Sequence, residues 1–501
     1  MNYTDITTLG KLKKSGYKTV SIKDELRNNL IKSLENSHNP FEGILGYDDS
    51  VIPDIQTAIL SRHNIILLGL RGQAKTKIAR LLINLLDEYI PVIEGSELND
   101  DPLNPLSKYG KDATNNEGDN TKISWLHRNE RYTEKLATPD VSVADLIGDV
   151  DPIKAASLKL PYSDERVIHF GLIPRSHRSI FVINELPDLQ ARIQVALFNI
   201  LQESDIQIRG FKIRLPLDIQ FVFTANPEDY TNRGSIVTPL KDRIDSQILT
   251  HYPKTIELSK QITIQEATIA SEQANTITVP ETLKDLIEQI AFEARESEYI
   301  DSKSGVSARL PISAYENLIS AAERRRIINN EKNTTARISD LYGVIPAITG
   351  KVELVYEGEQ EGPYKVANIL IGKAIKTVFS KYFPTPDQLK KTRTESPYQK
   401  ITSWFGKGNE IDLLNTVSNN EYEKLLTGVP GLQDVIKKFI KDENNNQLFF
   451  MEFLLHGLSE FSLLSKFRLE RGLQFKDMLS SMFKMSQPDE DINDEDEDIF
   501  R

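Results

Sequence analysis

The residues richest in chemistry occupy positions 69–76, Gly69-Leu70-Arg71-Gly72-Gln73-Ala74-Lys75-Thr76. Their spacing follows the phosphate-loop pattern of glycines, lysine and hydroxyl, with Ala74 where the second glycine is expected. A tight turn of this type aims backbone N–H groups at a phosphate, and the helix that follows adds the positive end of its dipole. Lys75 is then placed to pair with β- and γ-phosphate oxygens, and the Thr76 hydroxyl to ligate Mg2+. Ala74 adds one methyl and disfavours only a positive φ, so the loop should tolerate it.

Two further apolar runs end in polar side chains. Ser179-Ile180-Phe181-Val182-Ile183-Asn184-Glu185 reads as a buried strand with its polar residues at the carboxyl end, where parallel sheets place ligands. Glu185 is the candidate base that polarises water. Asn184 stands where a magnesium-organising acid is expected, with a helix cap as its ordinary alternative. The run Phe221-Val222-Phe223-Thr224-Ala225 ends in Asn226, which can reach a γ-phosphate or the attacking water, or simply form a turn before Pro227. Arg243, in Pro239-Leu240-Lys241-Asp242-Arg243-Ile244, and Arg309, after Ser307-Ala308, would each alone be a surface charge. Their order after the three strands gives them weight.

The elements needed to hold these residues are legible around them. Residues 64–69, 180–183 and 219–225 are short apolar runs of the kind that buried parallel strands produce, and helical patterns at 75–89 and 189–203 follow the first two. That alternation predicts a parallel α/β sheet. Residues 1–40 read as a helical lead-in, 41–255 as the α/β core, and 256–390 as helices with a strand signal at 351–357. Residues 391–487 read as a helical extension, with 488–501 a disordered tail. The polar stretch 99–120 reads as a surface loop.

Composition narrows the function classes. The net charge of the 501 residues is −12, and residues 489–501 hold eight acids and one base, so that tail accounts for −7 and the rest for −5. A mildly acidic body argues against general nucleic-acid binding. With no cysteine, disulfides, thiolate metal sites and cysteine nucleophiles are excluded. The seven histidines lack the spacing of a metal site. No apolar run approaches the ~20 residues that span a bilayer, and residues 1–17 do not resemble a signal peptide, so a cytoplasmic protein without membrane contact is expected.

Taken in order, the loop, the Asn184-Glu185 strand, the Asn226 strand, Leu240-Lys241-Asp242-Arg243 and Ser307-Ala308-Arg309 resemble the motif series of AAA+ ATPases. The chain is most similar to the magnesium chelatase ATPase subunit and the MoxR group. Ile90-Pro91-Val92-Ile93-Glu94-Gly95, Ile147-Gly148-Asp149-Val150-Asp151 and the segment from Phe170 to Arg178 carry the chelatase likeness. The resemblance covers about residues 40–330. It implies a phosphate-loop α/β core with an α-helical lid and an α-helical C-terminal extension, binding ATP and Mg2+ and hydrolysing the ATP.

The same resemblance makes Gly69, Gly72, Gln73, Ala74, Lys75 and Thr76 the phosphate site, with Thr76 and Asn184 at the metal. Leu45 and Gly46 fall where adenine is held by backbone contacts. Glu185 would orient water, Asn226 act as first sensor, Arg243 reach a neighbouring subunit's ATP, and Arg309 act as second sensor on the lid. A homo-hexameric ring working on a von Willebrand A-domain partner is implied, with slow turnover because Asn184 brings no charge to the metal. Two other classes compete: a σ54-type transcription activator, whose G-A-F-T-G-A loop is missing from the sequence, and a nucleotide-gated scaffold with little turnover.

Overall fold

A strand buried on both faces must be apolar at every position, and three runs of this chain meet that demand. The computed structural model describes residues 5–161, 164–203, 205–208, 214–227, 235–392, 395–441, 446–469 and 472–478; the acidic run 489–501 lies outside them. The chain divides into two compact units, Met1–Tyr252 and Pro253–Arg501.

In the first unit the elements that matter to the site are α1 (Ile22–Glu35), α2 (Val51–Leu60), β1 (Ile65–Leu68), α3 (Lys75–Leu81) and β2 (Tyr132–Leu136). They continue with β3 (Ser179–Asn184), α4 (Ala191–Glu203), β4 (Ile219–Ala225) and β5 (Ser246–Leu249). The five strands form one parallel sheet in the order β5-β1-β4-β3-β2. Successive side chains alternate between two cores: Ile65, Leu67, Ile180, Val182, Val222 and Ile248 enter one, while Ile66, Leu68, Phe181, Ile183, Phe221 and Phe223 enter the other. Burying each such side chain contributes about 1.5–3 kcal/mol, so the sheet is fixed by its own hydrophobicity. Register then aligns the strand ends. Leu68 lies opposite Ala225, and Phe223 opposite Ile183, which brings Gly69, Asn226 and Glu185 to the same rim.

Helix α1 belongs to this unit, with Ile22, Leu26 and Leu30 in the core beside β1. Its Glu25 receives both guanidinium nitrogens of Arg131 at 2.6 Å, a bidentate pair with side chains 6% and 1% exposed. The stretch expected to be a surface loop at 99–120 is instead built around Asp100, which is fully buried. Asp100 accepts from the backbone N–H groups of Leu106 and Ser107 and leads into a helix, Lys108–Glu117, capped by Ser107. Its polar residues satisfy backbone donors, which composition alone reads as loop.

The second unit packs α5 (Glu281–Arg295), α6 (Arg309–Ile328), α7 (Pro363–Tyr382) and α8 (Gln447–Glu460) around one core. The strand signal at 351–357 is corrected: Leu354 makes an isolated bridge to Ile300, and a helix already starts at Tyr356. Val352 and Leu354 alternate because one side rests on the helical core. Within the helical extension, β6 (Ile411–Leu414), β7 (Ser465–Leu469) and β8 (Gly472–Lys476) form an antiparallel sheet in the order β6-β8-β7, which the helical reading of 391–487 missed.

Candidate nucleotide site

The loop between β1 and α3 is tight enough to dictate its residues. A Cβ at Gly69 would collide with the Thr250 hydroxyl and the Gln73 amide, which bond to each other at 2.7 Å. Gly72 takes φ 75°, and Ala74 takes φ 56°, ψ 13°. Ala74 therefore sits in the left-handed region that its methyl disfavours, at a cost of about 1–2 kcal/mol. The turn tolerates the residue, but under strain.

Lys75, 7% exposed, donates to the carbonyls of Gly69 and Leu70, the latter at 3.0 Å, and to Asn226 Oδ1 at 2.5 Å. Thr76 is the second residue of α3 and is half-buried. The segment carrying Leu45 and Gly46 (φ 79°) runs beside this loop. Lys77 donates to Gly43 O at 3.1 Å, and the Tyr47 hydroxyl lies 3.1 Å from Gln73 O and 2.7 Å from His251 O. Burial pushes the Tyr47 phenol up to about 12, so it remains a donor at neutral pH.

On the neighbouring strands, Asn226 Nδ2 donates to Glu185 Oε2 at 3.0 Å. Lys75, Asn226 and Glu185 thus form one continuous chain of contacts across three strand ends. Glu185 itself holds φ 55°, ψ 51°, a left-handed backbone that turns its side chain off the line of β3. Asn184 caps no helix. Its amide donates to Glu134 Oε1 at 2.6 Å and accepts from the Thr224 hydroxyl at 3.0 Å, while Thr224 Oγ1 accepts from Glu185 N at 3.1 Å. Glu134, on β2, also receives Arg80 Nε at 2.9 Å and the Tyr132 hydroxyl at 3.2 Å. The Glu134 carboxylate raises the Arg80 pKa, and burial raises that of Tyr132.

Arg243 and Arg309 stand apart from these contacts. Arg243 bonds Gln202 at the far end of α4 from Glu185, at 2.8 and 3.1 Å, and its guanidinium lies 5.1 Å from the Phe198 ring centroid. Arg309 is exposed at the first position of α6, in the second unit. Sequence reading missed Glu134, Thr224, Tyr47 and Thr250. Glu134 lies on a short, half-exposed edge strand whose pattern does not mark it out.

The donor set suits a magnesium-bound triphosphate. Among the described residues no three His, Asp or Glu side chains converge on a metal position. An ion here would draw mainly on phosphate oxygens and water, as Mg2+ commonly does, with the Thr76 hydroxyl as a protein ligand. Fold and site together describe a phosphate-loop α/β unit followed by a helical unit.

No family model matches the sequence. Solved structures similar to it include NtrX from Brucella abortus in complex with ADP, at 12% identity over 75% of this chain and 71% of that one, TM-score 0.36. In another NtrX structure the match spans about half of that chain, 54%, and 58% of this one, at 12% identity and TM-score 0.32. A protein assigned as an ATPase from Cytophaga hutchinsonii matches at 17% identity over 70% of this chain and 95% of its own, TM-score 0.29. The complex of subunits BchI and BchD of magnesium chelatase, from a cryo-EM reconstruction, matches at 18% identity over 64% and 98%, TM-score 0.34. No helix among the described residues is long and apolar enough to cross a membrane.

Proposed function

We propose that this chain is a magnesium-dependent ATP hydrolase of the AAA+ type, of the magnesium chelatase and MoxR kind, which remodels a partner protein. The observation that carries the reading is the contact chain from Lys75 through Asn226 to Glu185 at the mouth of the phosphate loop. The loop N–H groups and Lys75 would hold the β- and γ-phosphates, and the Thr76 hydroxyl and Asn184 would serve the ion, which supplies charge neutralisation when bound. Asn226 holds Glu185 in place, and Glu185 orients the attacking water. Catalysis by this set is positioning plus charge stabilisation.

By resemblance, Leu45 and Gly46 hold the adenine, Arg243 serves the site of a neighbouring copy, and Arg309 reports nucleotide state on the lid. A hexameric ring in the cytoplasm and a von Willebrand A-domain partner belong to the same reading. Steady-state hydrolysis by wild type and Glu185→Gln tests it. The variant should bind ATP but turn over about 100-fold more slowly or worse. Equal rates would eliminate the catalytic assignment, and normal ATP binding by Lys75→Ala would eliminate the site.

A further inference from the structure

The position where a magnesium-organising carboxylate is expected holds Asn184, an uncharged amide. Hydrogen-bond accounting fixes how that amide faces. The Glu134 carboxylate can only accept, so the Asn184 NH2 group faces it, at 2.6 Å. Asn184 Oδ1 is thereby turned to Thr224, whose hydroxyl donates to it at 3.0 Å while accepting from Glu185 N. β2 and β3 are parallel with Leu136 opposite Asn184, so Glu134 sits one pleat back along the adjoining strand. Its other anchor is Arg80, which is one helical turn after Thr76 and so on the same face of α3. Asn184 thus links Glu134 to the rim, and Thr76 shares a helix face with Arg80; of Thr76, Asn184 and Glu134, Glu134 alone carries a negative charge, while the Glu185 carboxylate is engaged by Asn226. Arg80 contacts both carboxylate oxygens, Nε to Oε2 at 2.9 Å and Nη2 to Oε1 at 3.3 Å, but with Glu134 22% and Arg80 62% exposed the pair is screened by solvent.

We propose that Glu134 supplies, from the adjoining strand, the negative charge that Asn184 lacks, acting as an outer-sphere positioning residue for magnesium. This rests on the nucleotide reading above. The Tyr132 hydroxyl and the Asn184 amide hold the carboxylate towards the rim, while Arg80 competes with the ion for it. An ordinary surface ion pair between Arg80 and Glu134 is the competing account, and the two accounts differ in what loss of Arg80 should do. Removing the cation frees the carboxylate for the ion, whereas a structural pair is broken equally from either side.

The test is a Mg2+ titration of binding of a fluorescent methylanthraniloyl-ATP to the full chain, with each variant's affinity in EDTA as its own reference. Glu134→Gln should raise the Mg2+ midpoint about tenfold or more, the usual loss for an outer-shell partner. Arg80→Gln should leave the midpoint unchanged or lower it. Exchanging both positions, Glu134→Gln with Asn184→Asp, should bring the midpoint back towards wild type. Equal shifts for Glu134→Gln and Arg80→Gln, or no shift for Glu134→Gln, would overturn the proposal.

Should Glu134→Gln not fold, Asn184→Asp alone decides the matter. It should gain nothing if Glu134 already supplies the charge, and a tenfold tighter midpoint would overturn the idea. A wild type that binds no nucleotide in EDTA or in Mg2+ would sink the nucleotide reading itself. A wild type that binds normally while Glu134→Gln matches it would sink the Glu134 assignment alone.

Discussion

Each unit of this chain gathers polar side chains, and the two gatherings are built differently. In the helical unit, Arg325 pairs with Asp340 at 2.9 Å and Arg337 lies 3.9 Å from the Tyr422 ring centroid. Glu452 accepts from Ile338 N, Ser339 N and the Tyr422 hydroxyl. Arg325 and Glu452 are 1% and 0% exposed, and none of these residues has a strained backbone. In the α/β unit, the rim of the sheet holds half-buried Thr76 and Glu185 next to two left-handed residues, Ala74 and Glu185 itself. Polar groups that are buried, bonded and relaxed, as Arg325 and Glu452 are, serve the architecture; accessible groups held on a strained backbone are poised to exchange partners.

The comparison breaks most visibly if the helical network is dispensable. Arg325→Ala strands the Asp340 carboxylate in the interior and should destabilise the chain by about 3–5 kcal/mol, seen in chemical denaturation, with nucleotide affinity unaltered. Unchanged stability would erase the distinction between the two regions.

A second prediction sharpens it, because one polar group of the α/β unit behaves like those of the helical one. Burial holds His177 down to about 4, against an ordinary value near 6.5. The unfolded chain takes up a proton first as pH falls, so stability is complete above about 6.5 and drains away towards 4. Wild type should lose about 2 kcal/mol at pH 5 through this group, and His177→Gln should lack that part of the slope in melting curves. The smallest effect belongs to the strain itself. Ala74→Gly should stabilise the chain by about 0.5–1 kcal/mol, the relief of the left-handed methyl less the added chain entropy. A loss of stability would show that Ala74 is not strained.

What could be read from the sequence follows the same division. β1, β3 and β4 were legible because a strand covered on both faces must be apolar throughout, and Lys75, Glu185 and Asn226 could be found from their places after such strands. β2 forms an edge of the sheet, and Tyr132-Thr133-Glu134-Lys135-Leu136 carries too little hydrophobic signal to announce itself, so Glu134 went unseen. β6, β7 and β8 are four or five residues long and were absorbed into a helical reading. The backbone of Ala74 was invisible too, since a left-handed turn is dictated by its surroundings. The task assigned to Arg243 depends on a neighbouring copy, which one chain's sequence does not display, and that of Arg309 on nucleotide-dependent movement of the helical unit.

The bidentate contact between Glu25 and Arg131 has a practical corollary. Arg131 directly precedes the strand that bears Glu134, so the leading helix is a keystone for that edge of the sheet. Trimming the first forty residues as a dispensable leader would abandon a guanidinium inside the protein. The forfeit, about 3–5 kcal/mol, rivals the entire folding margin of many domains. A shortened version would be expected to aggregate, and its silence in an assay would say nothing about the full chain.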